Sequence, residues 1–370
     1  MATAPSFAAD ASASPYDRQA ELRALDATKA GVQGLVASGA TTVPRIFQVA
    51  DPKTIHGAVK PTQGAAPRAA VPVIDIGWED HAAVVAAIRH AAAEWGIFLV
   101  KGHGVPQEVL SAALRAAKEF HDADGGEGSE KARLFSRDPA NKTVWYNTNF
   151  DLYQSPVAGW RDSLYMTMEP NPPALGELPD SSRDVFLDYA KYLKGLQETL
   201  FGLLSEALGL PTSYLSDIGC NQGQKVFCNY YPPCPQPELA IGIVPHSDWG
   251  FLTVLLQNQF PGLQALHNDQ WVDIVPTPGT FVVNIGDLLQ LVSNDNVKSG
   301  EHRVLATSTG PRVSITSYPT NAGSTRAYAP IKELLSDKKP ALYKETLASD
   351  YRRHCAAIGL GNKGLPNFKL

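Results

Sequence analysis

The feature of the sequence that most restricts the fold is a change of hydrophobic period near residue 224. Beyond this point, short runs rich in Val, Ile, Phe and Tyr are separated by Pro and Gly, and seven of them predict strands. The seven runs are 225–231, 240–244, 251–256, 271–275, 280–285, 302–307 and 312–318. Seven short strands with turn residues between them predict an antiparallel sandwich or barrel.

The first half of the chain and its C-terminus follow a helical period instead. Apolar residues recur at helical spacing over 80–95 and most strongly over 183–209, and the stretch 340–358 returns to the same pattern. Short apolar runs at 71–76 and 97–100 predict two further strands. We therefore predict a mainly β fold with flanking α structure, in which an N-terminal helical region precedes the β core and a helix closes it.

The order of these segments gives the predicted organisation of the chain. We read residues 1–20, which begin with an Ala- and Ser-rich stretch, as a disordered tail. The predicted units that follow are an N-terminal helical and strand region over 21–210, a β core over 211–325 and a closing helical segment over 326–370. A Gly-, Ala- and Pro-rich stretch at 57–70 reads as a linker inside the first unit.

Composition excludes several classes of partner. The 370-residue chain has a formal net charge of −5, without the basic excess that would indicate nucleic acid or an anionic membrane surface. No apolar run reaches the ~18 residues needed to span a bilayer. Four cysteines without a C-x-x-C pair indicate thiols in a reducing compartment and not a disulfide framework. We therefore expect a cytoplasmic protein that is monomeric by default.

One pair of residues at spacing two is suited to metal binding. In His246-Ser-Asp248, an extended backbone turns the imidazole and the carboxylate to the same side. His302 lies 54 positions after Asp248 in a strand-like run, and a returning strand could bring it opposite the pair. Two His and one carboxylate on one face form the ligand set of non-haem Fe(II) oxygenases, which leaves coordination positions open. Asp248 by itself would equally suit the cap of a turn.

Two further pairs are suited to hold an organic anion near that metal. Arg312-Val-Ser314 offers a guanidinium that binds a carboxylate through two hydrogen bonds, and a hydroxyl that adds a third. This suits the distal carboxylate of a dicarboxylic acid whose other end chelates the metal. Asn229-Tyr-Tyr231 presents an amide and a phenol on one face of a strand, although Tyr231 by itself would also fit a core aromatic.

Taken together and in this order, the motifs resemble the plant Fe(II)/2-oxoglutarate-dependent dioxygenase superfamily. The matching blocks in the second half are Asn229-Tyr-Tyr-Pro-Pro-Cys-Pro, His246-Ser-Asp-Trp-Gly-Phe-Leu-Thr-Val-Leu-Leu-Gln257, Asn284-Ile-Gly-Asp-Leu-Leu-Gln-Leu, Lys298-Ser-Gly-Glu-His-Arg-Val304 and Arg312-Val-Ser. The first half adds Pro72-Val-Ile-Asp-Ile and Trp95-Gly-Ile-Phe-Leu-Val-Lys-Gly-His-Gly-Val-Pro106. The resemblance covers residues 20–365, nearly the whole chain.

The resemblance implies a double-stranded β-helix, a jelly roll of the cupin type, and an iron-dependent oxidation. The implied metal ligands are His246, Asp248 and His302, and the implied 2-oxoglutarate contacts are Arg312, Ser314, Asn229 and Tyr231. No catalytic side chain is implied beyond the metal centre. The implied reaction hydroxylates or desaturates a small molecule with O₂, uses 2-oxoglutarate as cosubstrate, and gives succinate and CO₂. Ascorbate is implied as the reductant that maintains Fe(II).

The segment 145–165 narrows the resemblance to one plant subgroup. Its Asn-Phe-Asp-Leu-Tyr and Gly-Trp-Arg-Asp-Ser-Leu-Tyr sequences are similar to aminocyclopropane-carboxylate-oxidase homologues, a subgroup that includes benzoxazinoid-glucoside (DIBOA-glucoside) dioxygenase. This similarity implies an aromatic or heterocyclic specialised metabolite as substrate. The predicted pocket residues are Tyr318 on the Arg312 strand, Trp249 after Asp248, and Phe150, Tyr153 and Trp160 in a segment that would cover the mouth. Trp160 fits equally well as a packing aromatic.

Three other functions fit parts of the pattern. A true aminocyclopropane-carboxylate oxidase would form ethylene and use ascorbate in place of 2-oxoglutarate. The long N-terminal segment of this chain and its Trp160-Arg-Asp162 sequence, both typical of the homologue subgroup, argue against this function. A jelly roll that has lost turnover would bind a metabolite without reaction. A hydrolytic zinc site uses the same ligand types, but no general base stands beside the predicted ligands. Succinate formation coupled to substrate oxidation separates the leading function from the first two.

Overall fold

Helices precede and follow the strands of the β core along the chain. The computed structural model describes residues 16–51, 70–138, 140, 142–321 and 324–370. The helices are α1 (Arg18–Thr28), α2 (Gly31–Ala37), α3 (His81–Glu94), α4 (Gln107–Asp122), α5 (Glu130–Leu134), α6 (Arg183–Ala207), α7 (Tyr214–Asp217), α8 (Asp287–Val292) and α9 (Ala348–Ile358). Short 3-10 turns are Arg45–Phe47, Pro237–Leu239, Lys332–Leu334 and Leu365–Phe368.

Two predicted segments fall largely outside the structure. The tail predicted for residues 1–20 lies outside the described residues up to position 15, and α1 begins at Arg18. The linker predicted for 57–70 lies outside them up to position 69. Across the described ranges, no helix combines the length and the apolar character that crossing a membrane requires.

The strands form one large sheet, one small sheet and a short two-stranded sheet. In chain order they are β1 (Val73–Asp75), β2 (Ile97–Lys101), β3 (Val144–Thr148), β4 (Asp162–Glu169), β5 (Gln224–Tyr231), β6 (Ile241–His246), β7 (Leu252–Gln257), β8 (Leu263–His267), β9 (Gln270–Asp273), β10 (Phe281–Ile285), β11 (His302–Leu305), β12 (Arg312–Tyr318), β13 (Ala327–Tyr328) and β14 (Thr346–Leu347). The large sheet has the order β1-β2-β10-β7-β12-β5-β4-β3 and the small sheet β6-β11-β8-β9. This architecture confirms the predicted double-stranded β-helix with flanking helices.

Alternation along β5 separates the two faces of the large sheet. Val226, Cys228 and Tyr230 belong to the main hydrophobic core, which they share with α3, α4 and α6. Tyr231 has the opposite parity and belongs to a second apolar cluster that includes Leu263 of the small sheet. The polar side chains at alternate positions of β5 and β12 therefore face the small sheet and not the helices.

The period change near residue 224 predicted the strands well. All seven predicted strands are present, and their ends shift by at most two residues. The helices predicted over 80–95 and 183–209 are confirmed as α3 and α6. The helix predicted over 340–358 was wrong in its first half, because α9 begins only at Ala348. The residues directly before α9 are extended instead, because Thr346 and Leu347 of β14 pair with β13.

Three strands of the large and small sheets were not predicted: β3 and β4 of the large sheet and β8 of the small one. The segment 145–165, expected to cover the mouth, instead contributes most of β3 and the beginning of β4. Both strands are buried on both faces for most of their length, so they lack the alternation that marks a half-exposed strand. Because β4 pairs with β5, one sheet contains strands from both sides of the predicted boundary at 210/211.

One buried carboxylate ties the N-terminal arm, which we define as residues 18–47, to the large sheet. Asp162 at the start of β4 accepts hydrogen bonds from the backbone N–H groups of Val32 at 2.9 Å and Gln33 at 2.8 Å, in the first turn of α2. Gly31 precedes them with φ +69°, a left-handed conformation that favours glycine. A β-carbon at this position would overlap with the Asp162 carboxylate.

We predict that Gly31→Ala lowers the free energy of unfolding by about 2–4 kcal/mol, because it combines a left-handed backbone with a steric clash. Gly39→Ala is the matched control: its φ is +84°, and an added β-carbon meets nothing within 4 Å. We expect it to cost only about 1 kcal/mol. Urea denaturation of both variants measures the difference, and equal losses would contradict the anchoring role of Asp162.

Candidate active site

The three predicted metal ligands lie together where β6 ends. β6 ends at His246 and β11 begins at His302, and these two residues are direct partners across the antiparallel pair. Asp248 follows two residues after the end of β6. One donor atom from each of the three side chains lies within 4.8 Å of the others, and the part of the chain that the structure describes holds no second group of this kind.

The hydrogen bonds of the two imidazoles fix which nitrogen is available. Nδ1 of His246 lies 2.9 Å from the carbonyl oxygen of Val244, and Nδ1 of His302 lies 3.0 Å from that of Gly300. A carbonyl can only accept, so each Nδ1 carries a proton, and Nε2 is the nitrogen of each ring that is left to bind a metal. Burial, and then His302, lower the pKa of His246 to about 3, which keeps this ring neutral. Neutral imidazoles are the form that binds metals.

Asp248 completes the set with an ionised carboxylate. Its Oδ1 lies 4.0 Å from Nε2 of His246 and 3.8 Å from Nε2 of His302. Its Oδ2 accepts a hydrogen bond from Asn284 at 3.1 Å. Burial alone would raise the pKa of Asp248, but the two imidazoles and hydrogen bonds from Thr253 and Asn284 hold it below its usual value. Two imidazoles and one carboxylate fit a ferrous ion with positions left for other ligands.

Arg312 is a buried cation that lacks a carboxylate partner among the described residues. It is 1% exposed, and it donates to Ser314 Oγ at 3.3 Å and to Gln257 Oε1 at 2.9 Å. Its Nε has no hydrogen-bond partner in the described part of the chain. A buried charge without a counter-charge costs several kcal/mol, so this position suits an anion that the chain itself does not supply. A carboxylate of 2-oxoglutarate has the required charge and shape.

Asn229 and Tyr231 lie beside Arg312 and Ser314 because of the strand register. In the pairing of β5 with β12, Tyr231 stands opposite Arg312 and Asn229 opposite Ser314. The Arg312 guanidinium lies 5.0 Å from the centroid of the Tyr231 ring. Asn229 accepts a hydrogen bond from Ser163 at 2.8 Å through its Oδ1, so its NH₂ group is the part that can donate to a ligand.

A second buried guanidinium, that of Arg161, was not predicted for the site. It is 7% exposed, and its Nε also lacks a partner in the described ranges. Burial would lower the pKa of Arg161, but Tyr231, Tyr165 and Asp151 raise it overall. Its charge also reaches His246 and disfavours protonation there. A cation inside the otherwise aromatic segment 145–165 was the available signal in the sequence.

Three of the five predicted pocket residues lie near the metal ligands. Burial raises the pKa of the Tyr318 phenol and the carboxylate of Asp248 adds to the increase, so the two groups are within electrostatic reach. Trp249 follows Asp248 directly, and the Phe150 ring meets it edge-on with centroids 6.3 Å apart. Because Phe150 is 45% exposed, this aromatic pair reaches from the metal ligands towards solvent.

The other two predicted pocket residues hold the N-terminal arm instead, which corrects the prediction. Trp160 is fully buried, packs edge-on against Phe47 at 5.1 Å and donates its indole N–H to the carbonyl of Pro232 at 3.1 Å. Tyr153 donates its hydroxyl to Asp26 of α1 at 3.0 Å. Six aromatic residues are spread over the segment 145–165, and the sequence gives no sign of which of these rings face the core.

Two polar residues beside the predicted site were missed. Asn284 reaches Asp248, and Gln257 accepts a hydrogen bond from Arg312. Both stand inside the blocks that carry the resemblance, but their roles depend on which strands are neighbours. The pairing of β7 with both β10 and β12 makes them neighbours of the site, and this pairing is not readable from spacing along the chain.

Two family models match the chain. The model for the 2OG-Fe(II) oxygenase superfamily matches residues 222–318, a range that holds the candidate metal ligands and the Arg312-x-Ser314 pair. The model described as the N-terminal region of non-haem dioxygenase in morphine synthesis matches residues 71–184. Every strand of the large sheet and of the small sheet lies inside one of these two ranges.

Relatives of the chain match over nearly its whole length. It is 42% identical over 362 residues to 1-aminocyclopropane-1-carboxylate oxidase homolog 1 of Arabidopsis thaliana, and the alignment covers 96% of this chain and 97% of the relative. It is 43% identical over 369 residues to a 1-aminocyclopropane-1-carboxylate oxidase homolog of Solanum lycopersicum, covering 96% and 98% of the two chains.

Solved structures share the fold. The crystal structure of JOX2 in complex with 2OG, Fe and JA has a TM-score of 0.77 and 30% identity, and covers 91% of this chain and 95% of that chain. A rice dioxygenase for auxin oxidation has a TM-score of 0.66 and 24% identity, covers 81% and 100% of the two chains, and shows a likeness of fold alone.

We predict that Asp248→Ala lowers the affinity for Fe(II) by more than about 100-fold, because it removes the one anionic ligand of the set. Asn284→Ala should lower it by about 10- to 100-fold, because Asn284 is not itself a ligand but contacts Asp248 at 3.1 Å and His302 Nε2 at 3.4 Å. Anaerobic equilibrium dialysis measures both, with the exposed Asp337→Ala as control. Wild-type affinity in Asp248→Ala would contradict the assignment of the metal site.

Proposed function

The chain belongs to the 2OG-Fe(II) oxygenase superfamily and to its plant group of 1-aminocyclopropane-1-carboxylate oxidase homologues, and we propose that it oxidises a small aromatic or heterocyclic metabolite. Members of this superfamily are 2-oxoglutarate-dependent dioxygenases, and so is this chain. The observation that carries the proposed site is the convergence of His246, Asp248 and His302 within 4.8 Å, together with the buried guanidinium of Arg312 on β12 of the other sheet.

The proposed reaction converts a substrate C–H bond, 2-oxoglutarate and O₂ into a C–OH bond, succinate and CO₂. One oxygen atom enters the product and the other enters succinate, so atoms and electrons balance; desaturation releases the first oxygen as water. When bound, Fe(II) with 2-oxoglutarate supplies the activation of O₂. No side-chain nucleophile and no general base are needed.

The residues of the chain bind and orient the reactants. His246, His302 and Asp248 would hold the metal, and the carbonyl groups that accept from each Nδ1–H keep both imidazoles in the required tautomer. Arg312 and Ser314 would bind the distal carboxylate of 2-oxoglutarate. The NH₂ group of Asn229 and the Tyr231 hydroxyl would donate hydrogen bonds nearer its chelating end, a role supported by the register of β5 with β12.

Aromatic side chains would position the substrate and exclude water. Tyr318 offers a ring face on the same side of β12 as Ser314, because the two residues have the same parity. Phe150 and Trp249 form an edge-on pair at the entrance. Excluding water around the metal strengthens each of the electrostatic contacts described above.

The same proposal includes a reductant, an oligomeric state, a location and a class of partners and substrates. Ascorbate would keep the iron reduced, the protein would act as a monomer in the cytoplasm, and neither nucleic acid nor a membrane would be a partner. Benzoxazinoid glucosides are one candidate class of substrate. Ethylene formation without 2-oxoglutarate, the activity of a true aminocyclopropane-carboxylate oxidase, is the alternative that the experiment must separate.

The deciding experiment reconstitutes the protein anaerobically with Fe(II) and 2-oxoglutarate and then admits O₂ together with a plant metabolite extract. We expect one class of compound to gain a single oxygen atom, or to lose two hydrogens, in proportion to the succinate formed. Mass spectrometry follows both products. Ethylene production from aminocyclopropane-carboxylate without 2-oxoglutarate consumption would contradict the proposal.

We predict that Arg312→Lys raises the KM for 2-oxoglutarate by about 10- to 100-fold, because an ammonium cannot form the paired hydrogen bonds of a guanidinium with a carboxylate. The residual charge should preserve part of the binding, so Arg312→Gln should be weaker still. Initial rates at varied 2-oxoglutarate measure the effect, with the exposed Arg353→Lys as control. An unchanged KM would remove Arg312 from the cosubstrate site.

A further inference from the structure

Two basic side chains stand at the end of the large sheet that is remote from Arg312. Lys225 of β5 is the cross-strand partner of Tyr318. Tyr318 lies six residues after Arg312 on β12. Arg352 of α9 donates a hydrogen bond to the carbonyl of Thr320, two residues beyond Tyr318. The end of β12 therefore brings a lysine and an arginine from distant parts of the sequence to one place.

Neither cation has an acidic partner among the residues that the structure describes. No ion pair of the described chain includes Lys225 or Arg352. Burial, and then the charge of Arg352, lower the pKa of Lys225. The Lys225 ammonium lies 5.5 Å from the centroid of the Trp145 ring, a contact that attracts the charge but does not neutralise it. Two like charges in one place are unfavourable until an anion joins them.

Four aromatic rings, which we call the aromatic row, run across the sheet beside these cations. Trp145 stacks on Tyr165 at 5.0 Å, Tyr165 meets Phe227 edge-on at 4.5 Å, and Phe227 meets Tyr318 edge-on at 5.0 Å. They come from β3, β4, β5 and β12, and Phe227 shares its parity with Asn229 and so faces the small sheet. Phe227 and Tyr318 keep part of their surface open, as a contact with a flat ligand requires.

Tyr318 connects the cations with the candidate metal ligands. Burial raises the pKa of its phenol, the charge of Arg352 opposes this increase, and the carboxylate of Asp248 adds to it. Both charged groups are therefore within electrostatic reach of the same hydroxyl. At the Tyr318 end of the aromatic row a flat molecule would lie near Asp248 and Arg352, and the Lys225 ammonium lies over the Trp145 ring at the other end.

We propose that Lys225 and Arg352 bind an anionic group of the substrate, such as a carboxylate, while the aromatic row holds its ring system. The inference rests on the proposed function and narrows its substrate class to acidic aromatic molecules. Of the two buried guanidinium groups near the candidate site, Arg312 would bind 2-oxoglutarate, and Arg161 lies within electrostatic reach of Tyr231, Tyr165 and Asp151. Lys225 and Arg352 are the cations that remain for the substrate.

The test compares aromatic carboxylic acids with their primary amides, which have nearly the same shape but no charge. Cinnamate with cinnamamide, and 2-naphthoate with 2-naphthamide, are titrated calorimetrically into anaerobic protein loaded with Fe(II) and 2-oxoglutarate. We expect the acid of a pair to bind about tenfold more tightly than the amide, with a preference that falls as salt is added. Equal affinity within every pair would overturn the proposal.

Substitutions then assign the preference to the two cations. Lys225→Met and Arg352→Gln should each lose the preference for the acid while the affinity for the amide changes little. The matched controls are Lys191→Met on α6 and Arg353→Gln on α9, both exposed, and both should keep it. A preference that survives Lys225→Met and Arg352→Gln would also overturn the proposal.

Thermal unfolding separates a binding role from a structural one. Because the two cations repel each other in the protein without ligand, Lys225→Met and Arg352→Gln should unfold at the same or a higher temperature than the wild type. A marked fall in Tm for both variants would assign them to the fold and not to the substrate.

Succinate formation, measured after O₂ is admitted to the same samples, keeps the two proposals distinguishable. Succinate without any preference for the acid would reject the anion site and leave the oxygenase function standing. A preference for the acid without succinate, in any pair and with the plant extract, would reject the function and leave the anion site.

Discussion

The pairing of β6 with β11 is the interaction on which the candidate site depends. It sets His302 directly opposite His246, and a slip of one residue would turn the second imidazole to the other face of the small sheet. β11 is held from its other side by β8, where His302 stands opposite Ala265. Leu263 and Val304, which are direct partners in that pairing, are buried between the two sheets and oppose such a slip. The register of the metal ligands is thus fixed by apolar packing rather than by the ligands themselves.

Charge on the inner face of the large sheet is arranged for ligands rather than for stability. Arg312 is buried without an acidic partner in the described chain, and Lys225 stands beside Arg352 without one. The position of Arg312 is unfavourable in the empty protein, because a desolvated cation has lost its hydration and gained no counter-charge. Lys225 is disfavoured by its partial burial and by the charge of the exposed Arg352. The large apolar core beneath the sheet offsets this cost. Local features that disagree with the rest of a fold are expected at functional sites, where a bound anion restores the balance.

The segment between β3 and β4 serves both the arm and the site. Its aromatic residues are divided between them: Trp160 and Tyr153 hold residues 18–47 against the sheet, whereas Phe150 lies against Trp249 near the metal ligands. Arg161 directly follows Trp160 and reaches Tyr231 in the site. The position of the arm and the shape of the entrance are therefore coupled through one short stretch of chain.

The sequence by itself determined seven of the strands that follow residue 224, the order of helices and sheet, and the set of groups proposed to bind metal and cosubstrate. Period two, turn residues and the parity of neighbours along one strand are local, so they can be read from spacing. The tertiary structure alone decided which strands lie side by side, and with that the places of Asn284, Gln257 and Arg161 near the candidate metal ligands. It also separated Trp160 from Phe150, and it brought Arg352 to Lys225 across more than a hundred residues of chain. Contacts of this kind depend on sheet pairing and on the packing of distant segments, and no residue spacing encodes them.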